Sequence, residues 1–201
     1  PGGSFWMGAT PEEVDRATAM AQRFVGRTRE VKREWFEDET LRFVTVAPFE
    51  LDRREVTVAE YRTFLQATGR PTPPAWENGK PPPDDWPATG VTWDEATAYA
   101  RWVGKRLPTA EEWEWAARGP DRRFFPWGDA EPDGTRANYA DKRLAVPHND
   151  PDHDDGFESL APVGSFPAGA TPEGILDLAG NAREWTASQA LGIRDPADHH
   201  L

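Results

Sequence analysis

The chain has no cysteine among its 201 residues. Disulfides, thiolate metal sites and thiol nucleophiles are therefore excluded from these residues. The redox compartment stays open, because a lack of cysteine suits either kind. Basic charge is also scarce: 23 Lys and Arg against 35 Asp and Glu leave a net charge of −12. A surface that tracks phosphates needs the opposite balance, so neither nucleic acid nor an anionic membrane is expected as a partner. No apolar run approaches the roughly 20 residues that span a bilayer, and Pro1–Gly8 lacks the charged-then-apolar pattern of a signal peptide. Sulfur is limited to Met7 and Met20.

What the chain does have is 10 Trp, 20 Pro and 17 Gly. Aromatics at 11% argue against disorder. Proline and glycine at this level, without long helical stretches, point to loops wrapped on an aromatic core. A length near 200 residues suffices for a substantial core without staples.

Four helix starts are written into the sequence. Thr10 precedes Pro11, Glu12 and Glu13, an N-cap followed by a first-turn proline and acids. Val14, Ala17, Ala21, Phe24 and Val25 continue at helical spacing, and the charged stretch from Arg27 to Phe36 suits a second short helix. Thr57 with Glu60, Thr92 with Glu95, and Thr109 with Glu112 have the spacing of capping boxes. Gly69 and Gly104 stand where two of these helices should stop. Ser4–Met7, between glycines, and Leu41–Val46 alternate in period two and read as strands. Pro71–Pro87 and Gly119–Gly180 read as loops and turns. Trp93, Trp113, Trp115, Trp127 and Trp185 are expected in the core. Trp76 and Trp86, among seven prolines, are expected to be exposed and to line a groove.

Taken in order, several stretches resemble one family. They are Pro1–Gly8, Glu55-Val56-Thr57 with Tyr61 and Phe64, Val91-Thr92-Trp93, Gly104–Ala116, and Pro126-Trp127-Gly128. Ala137-Asn138-Tyr139, Asp155-Gly156-Phe157, Pro162-Val163 with Phe166-Pro167, and Gly180–Thr186 complete the set. The resemblance is to the formylglycine-generating enzyme, or sulfatase-modifying factor, domain, and it runs from Pro1 to about Ser188. It implies one α+β domain over residues 1–201 with a C-type-lectin-like core, little regular secondary structure and calcium sites that pin loops. Residues 10–36 look like a helical insertion.

Family members have several roles. Some are copper-dependent oxidases that convert a sulfatase cysteine to formylglycine. Others form the sulfoxide precursor of ergothioneine, and others are non-catalytic, including the variable ligand-binding proteins of diversity-generating retroelements. The family pattern continues with an Arg-Gly-Gly-Ser-Trp strand and a closing strand, neither of which occurs before Leu201. Those strands, and the two cysteines that hold copper in the oxidase, are expected to lie outside these residues. Arg183 also stands where the oxidases have Trp. The expected function is thus a ligand-binding module that takes a protein or peptide through its loops. The oxidase, with cysteines beyond this chain, and the ergothioneine-type enzyme are the alternatives. Copper is expected only if the absent part supplies thiols.

The resemblance also implies two oxygen-rich sets. One is Asn138 and Asp155 by side chain with the carbonyls of Tyr139 and Phe157. The other is Asp177 and Glu184 by side chain with the carbonyls of Gly180 and Ala182, and Glu55 adding an oxygen. Calcium takes six to eight such oxygens. From spacing alone, Asp155-Gly156 is equally a turn, and Asp177 and Glu184 equally exposed acids. The acidic run Asp150–Glu158 suits a solvated loop. His148 and His153 flank that loop, and a solvated histidine is the simpler account of each.

Overall fold

The computed structural model describes residues 1–24, 30–37, 41–76, 81–147 and 149–188. Regular structure among them is modest and mixed. Strand β1 (Gly3–Met7) is followed by helix α1 (Pro11–Phe24), strand β2 (Arg42–Val46) and helices α2 (Val58–Thr68), α3 (Trp93–Trp102) and α4 (Ala110–Arg118). Short 3-10 turns occupy Arg33–Phe36 and Pro167–Gly169. The charged stretch before Phe36 thus yields one described turn rather than a helix; residues 25–29 lie outside the described residues.

The strands pair antiparallel in the register Gly3↔Val46, Phe5↔Val44 and Met7↔Arg42. Alternation sends Phe5 and Met7 inward onto Trp115 of α4, while Trp6 and Phe43 pair edge-to-face on the outer side. Pairing of β1 with β2 brackets α1. Its cap is reciprocal: the Thr10 amide donates to Glu13 Oε2 at 2.7 Å and the Glu13 amide to Thr10 Oγ1 at 3.2 Å. Arg118 and Arg122 both donate to the Glu13 carboxylate, and the Arg16 guanidinium lies 4.1 Å from the centre of the Phe124 ring. Helix α1 is fastened mainly by charge, since Val14 is its one buried apolar residue among those described.

The three expected capping boxes are all formed, at Thr57, Thr92 and Thr109. Each threonine hydroxyl accepts the third helical N–H while the glutamate there returns to the threonine amide. Gly69 ends α2 in the left-handed conformation, φ +65°. Buried Val58, Tyr61, Phe64 and Leu65 from α2 pack with Trp76 into one core cluster, which Tyr99 of α3 adjoins. Ala116, Ala117 and Leu178 form another, linked through Phe49 to the cluster under the strands.

The tryptophans reverse two expectations. Trp76 is buried at 3% exposure, its indole N–H donating to the Thr89 carbonyl at 3.1 Å, and Trp86 packs half-buried against the same core. On either side of residues 77–80, which lie outside the described residues, the chain packs against α2, so the described part of this loop covers core. Trp93 and Trp185, expected inside, are 40% and 48% exposed. Their N–H groups are nonetheless satisfied, Trp93 on the Thr186 carbonyl and Trp185 on the Val91 carbonyl, so one edge of each is anchored and much of the rest is open.

Thr109→Ala removes one half of the α4 box, and Trp115 on that helix is the floor beneath β1. Urea unfolding should show a loss of about 1 kcal/mol with an unchanged m-value. An unchanged midpoint would contradict a stabilising role for the cap.

Candidate cation site in the loop cluster

Between Gly119 and Ser188 the described chain has a single 3-10 turn and no strand or α-helix. Backbone groups there cannot use a ladder, so buried side chains take over. Asp141, Asp150 and Asp155 are all buried. Asp141 accepts the amides of Arg143 and Asp155. Asp150 accepts the Asp152 amide and the Tyr139 hydroxyl, and lies 2.5 Å from His153 Nδ1. Burial alone would raise the Asp150 pKa; the bonds from His153, Asp152 and Tyr139 leave it below its ordinary value. The acidic run is therefore no simply solvated loop, because two of its carboxylates are internal fasteners. Among the described residues Asp150 also holds His153; His148 lies outside them.

Asp155 accepts the Tyr139 amide at 3.0 Å on one oxygen and the Phe157 amide at 2.8 Å on the other. This brings Asn138, Tyr139, Asp155 and Phe157 together. Asn138 is buried, and its Nδ2 donates to the Ser159 carbonyl at 2.7 Å and to Asn181 Oδ1 at 3.0 Å. With the nitrogen so used, Asn138 Oδ1 faces the other way. Among the described residues no donor reaches that oxygen or the carbonyls of Tyr139 and Phe157. Burial raises the Asp155 pKa, with the charges of Asp141 and Asp154 acting in the same direction and the two amide bonds opposing. Asp155 is thus a buried carboxylate beside three oxygens that no described protein donor reaches.

The other set is arranged differently. Asp177 is buried and accepts the Gly164 amide at 2.6 Å; Glu184 accepts the Trp113 indole N–H; and Glu55 accepts Asn181 Nδ2 at 2.8 Å and the Ala182 amide at 3.0 Å. No donor among the described residues reaches the Gly180 or Ala182 carbonyl. Yet no three His, Asp or Glu side chains among the described residues gather around one point. The same holds around Asp155, and each of Glu55, Asp177 and Glu184 accepts a protein donor.

The three acids nevertheless feel one another. Burial pushes the Glu55 pKa up to about 8, and the charges of Asp177 and Glu184 add to it, against the bonds from Asn181 and Ala182. Burial likewise raises Asp177, and raises Glu184, whose carboxyl turns inward although much of the residue is exposed. Basic side chains nearby are engaged elsewhere: Arg54 with Glu60, Arg106 with Glu112, and Lys142 and Arg143 with Asp154. Among the described residues none pairs with Glu55, Asp155, Asp177 or Glu184.

Asn181 joins the two sets and was not singled out in the sequence. Its Oδ1 accepts from Asn138 Nδ2 and the Ala161 amide, its Nδ2 donates to Glu55 and the Ala161 carbonyl, and its amide donates to the Asn138 carbonyl. It sits at φ +55°, a conformation asparagine tolerates better than most residues. The preceding Gly180, at φ +89°, approaches so closely that a Cβ would lie 2.3 Å from the Asn138 carbonyl oxygen.

A small helical frame carrying irregular loops knitted by buried acids and amides defines a loop-stabilised domain of mixed helix and sheet. Residues 1–192 match the model of the sulfatase-modifying factor enzyme 1-like domain, and the chain belongs to that family. Over 94% of its length it is 29% identical to a formylglycine-generating enzyme of Mycobacterium tuberculosis, of which 72% is covered. It is 44% identical over 52% of its length to the inactive C-alpha-formylglycine-generating enzyme 2 of Bos taurus, covering 34% of that protein. Over 72% of its length it is 34% identical to hercynine oxygenase of Mycolicibacterium smegmatis, covering 38% of it. The chain thus spans little more than a third of the last two proteins.

The raised Glu55 pKa sets a pH dependence. The folded state keeps a proton that the unfolded state releases near pH 4.5, so from there to about 8 the native form binds more protons and stability falls as pH rises. Glu60 runs the opposite way, held at about 2 by Arg54, and matters only in acid. Without added metal, the melting temperature of the native chain should therefore fall relative to that of Glu55→Gln between pH 5 and 8. A constant difference between the two would contradict the assignment.

Proposed function

We propose that residues 1–201 form a calcium-stabilised, C-type-lectin-like ligand-binding module of this family, and that they do not by themselves catalyse cysteine oxidation. The observation that carries the proposal is the meeting of buried Asn138 and Asp155 with half-buried Tyr139 and Phe157, where Asn138 Oδ1 and the two carbonyls lack a described protein donor. A cation bound there would tie the 137–139 loop to the 155–157 loop and offset the charge of Asp155. For binding, the exposed indoles of Trp93 and Trp185 offer anchored aromatic surface to a protein or peptide, a role the sequence had suggested for Trp76 and Trp86.

The absence of oxidation follows from the sulfur inventory. Copper(I) is held by thiolate or thioether ligands. The chain has no cysteine; Met7 is buried beneath the strands, where its sulfur accepts from Arg42, while Met20 lies on α1. A second reading is that these residues scaffold an oxidase whose thiols lie outside them. The formylglycine-generating enzyme matched over 94% of the chain supports it. Hercynine oxygenase as a relative supports an ergothioneine-type role in the same way.

Two measurements test the proposal. Calcium should raise the melting temperature and a chelator reverse the gain, because a ligand that binds only the native state stabilises it by mass action. Incubated with copper and a cysteine-containing sulfatase peptide, residues 1–201 should leave the peptide mass unchanged. A calcium-independent melting temperature would remove the cation, and aldehyde formation above a copper-only control would remove the non-catalytic assignment.

A further inference from the structure

Asn181 uses its whole side-chain amide, and its two ends do different work. The oxygen end fixes Asn138: by accepting from Asn138 Nδ2 at 3.0 Å, beside the bond from that nitrogen to the Ser159 carbonyl at 2.7 Å, it determines which way the Asn138 amide is turned. An asparagine side chain presents an oxygen on one side and a nitrogen on the other, and only the oxygen can meet a cation. The nitrogen end holds Glu55 at 2.8 Å, and so ties the loop cluster to the chain entering α2 two residues before Thr57.

We infer that Asn181 is a positioning residue for the cation set, one that orients Asn138 through its oxygen and fastens the scaffold through its nitrogen. The inference rests on the cation assignment above and adds the residue that sets its affinity. Partners that orient metal ligands change affinity by roughly 10–100-fold when removed. Because the two ends bond to different groups, orientation and stability can be separated by substitution.

Asn181→Gly keeps the positive φ without strain and removes both ends. Asn181→Asp keeps an acceptor for Asn138 Nδ2 and the Ala161 amide, tolerates the same backbone, and loses the donor to Glu55. Calcium affinity is read by titration calorimetry on the full chain, and stability by thermal unfolding without calcium. Both variants should melt below the native chain at pH 9, above the Glu55 pKa of about 8, since both lose the donor to the Glu55 carboxylate and to the Ala161 carbonyl. Asn181→Gly should bind calcium about 10–100-fold more weakly. Asn181→Asp should stay within a few-fold of native, because Asn138 remains oriented.

Native-like affinity in both variants, with calcium still bound by the native chain, would overturn the positioning role and leave the cation site standing. Equal weakening in both would overturn it too, assigning the effect to lost stability. Failure of the native chain to bind calcium would overturn the cation assignment and this inference together. If Asn181→Gly is too unstable to titrate at ambient temperature, Asn181→Asp against native at low temperature still decides, since a ten-fold loss there contradicts the orientation of Asn138 by the retained oxygen.

Discussion

One half-buried amide holds together segments that no strand or helix connects. Asn181 bonds to Asn138, Ala161 and Glu55, and through them to the loops before and after the acidic run and to the entry of α2. An intramolecular hydrogen bond contributes about 0.5–1.5 kcal/mol net, while a buried donor or acceptor left unpaired costs about 1–3 kcal/mol. The asymmetry is what makes such a network cooperative: displacing Asn181 leaves several partners unpaired at once. Gly180 is needed for the same reason, since its missing Cβ is what lets the chain pass against the Asn138 carbonyl.

The acids around this amide follow from the same shortage of regular structure. A loop that runs inside must satisfy its own amides, and carboxylates accept them well. Asp141, Asp150, Asp155, Asp177 and Glu55 each take at least one backbone N–H. Desolvation is the cost, visible in the upward pKa shifts of Glu55, Asp155, Asp177 and Glu184. Protonation relieves that cost at low pH. A hard cation at the first set of oxygens, as proposed, would relieve it at neutral pH.

How much of this could be read in the sequence depends on range. Helix starts are local, and the Thr-x-x-Glu pattern carries its own geometry, so all three boxes and the β1 strand lie where the pattern puts them. Burial of tryptophan is not local. A proline-rich stretch looks exposed until the fold shows Trp76 packed edge-on to Tyr61, and an indole inside a helical pattern looks buried until Trp93 falls at the first residue of α3. Grouping of Asn138, Tyr139, Asp155 and Phe157 came from family resemblance, since spacing alone allowed a plain turn. Asn181 belongs to the Gly180–Thr186 motif, but its bonding role is not legible there, because its partners are 20, 43 and 126 positions away. The sequence-based grouping of Glu55 with Asp177 and Glu184 brought together acids that do sense one another's charge without converging on a point.

The oxygens around Asn138 and Asp155 that no described donor reaches are proposed to form a cation site. A crystal of the chain soaked with a lanthanide, examined by anomalous diffraction, tests it most directly. A bound ion should give a peak at roughly 2.3–2.6 Å from Asn138 Oδ1, an Asp155 oxygen and the carbonyls of Tyr139 and Phe157. A map with no peak there at saturating lanthanide, and with Asn138 turned to offer its nitrogen, would contradict it.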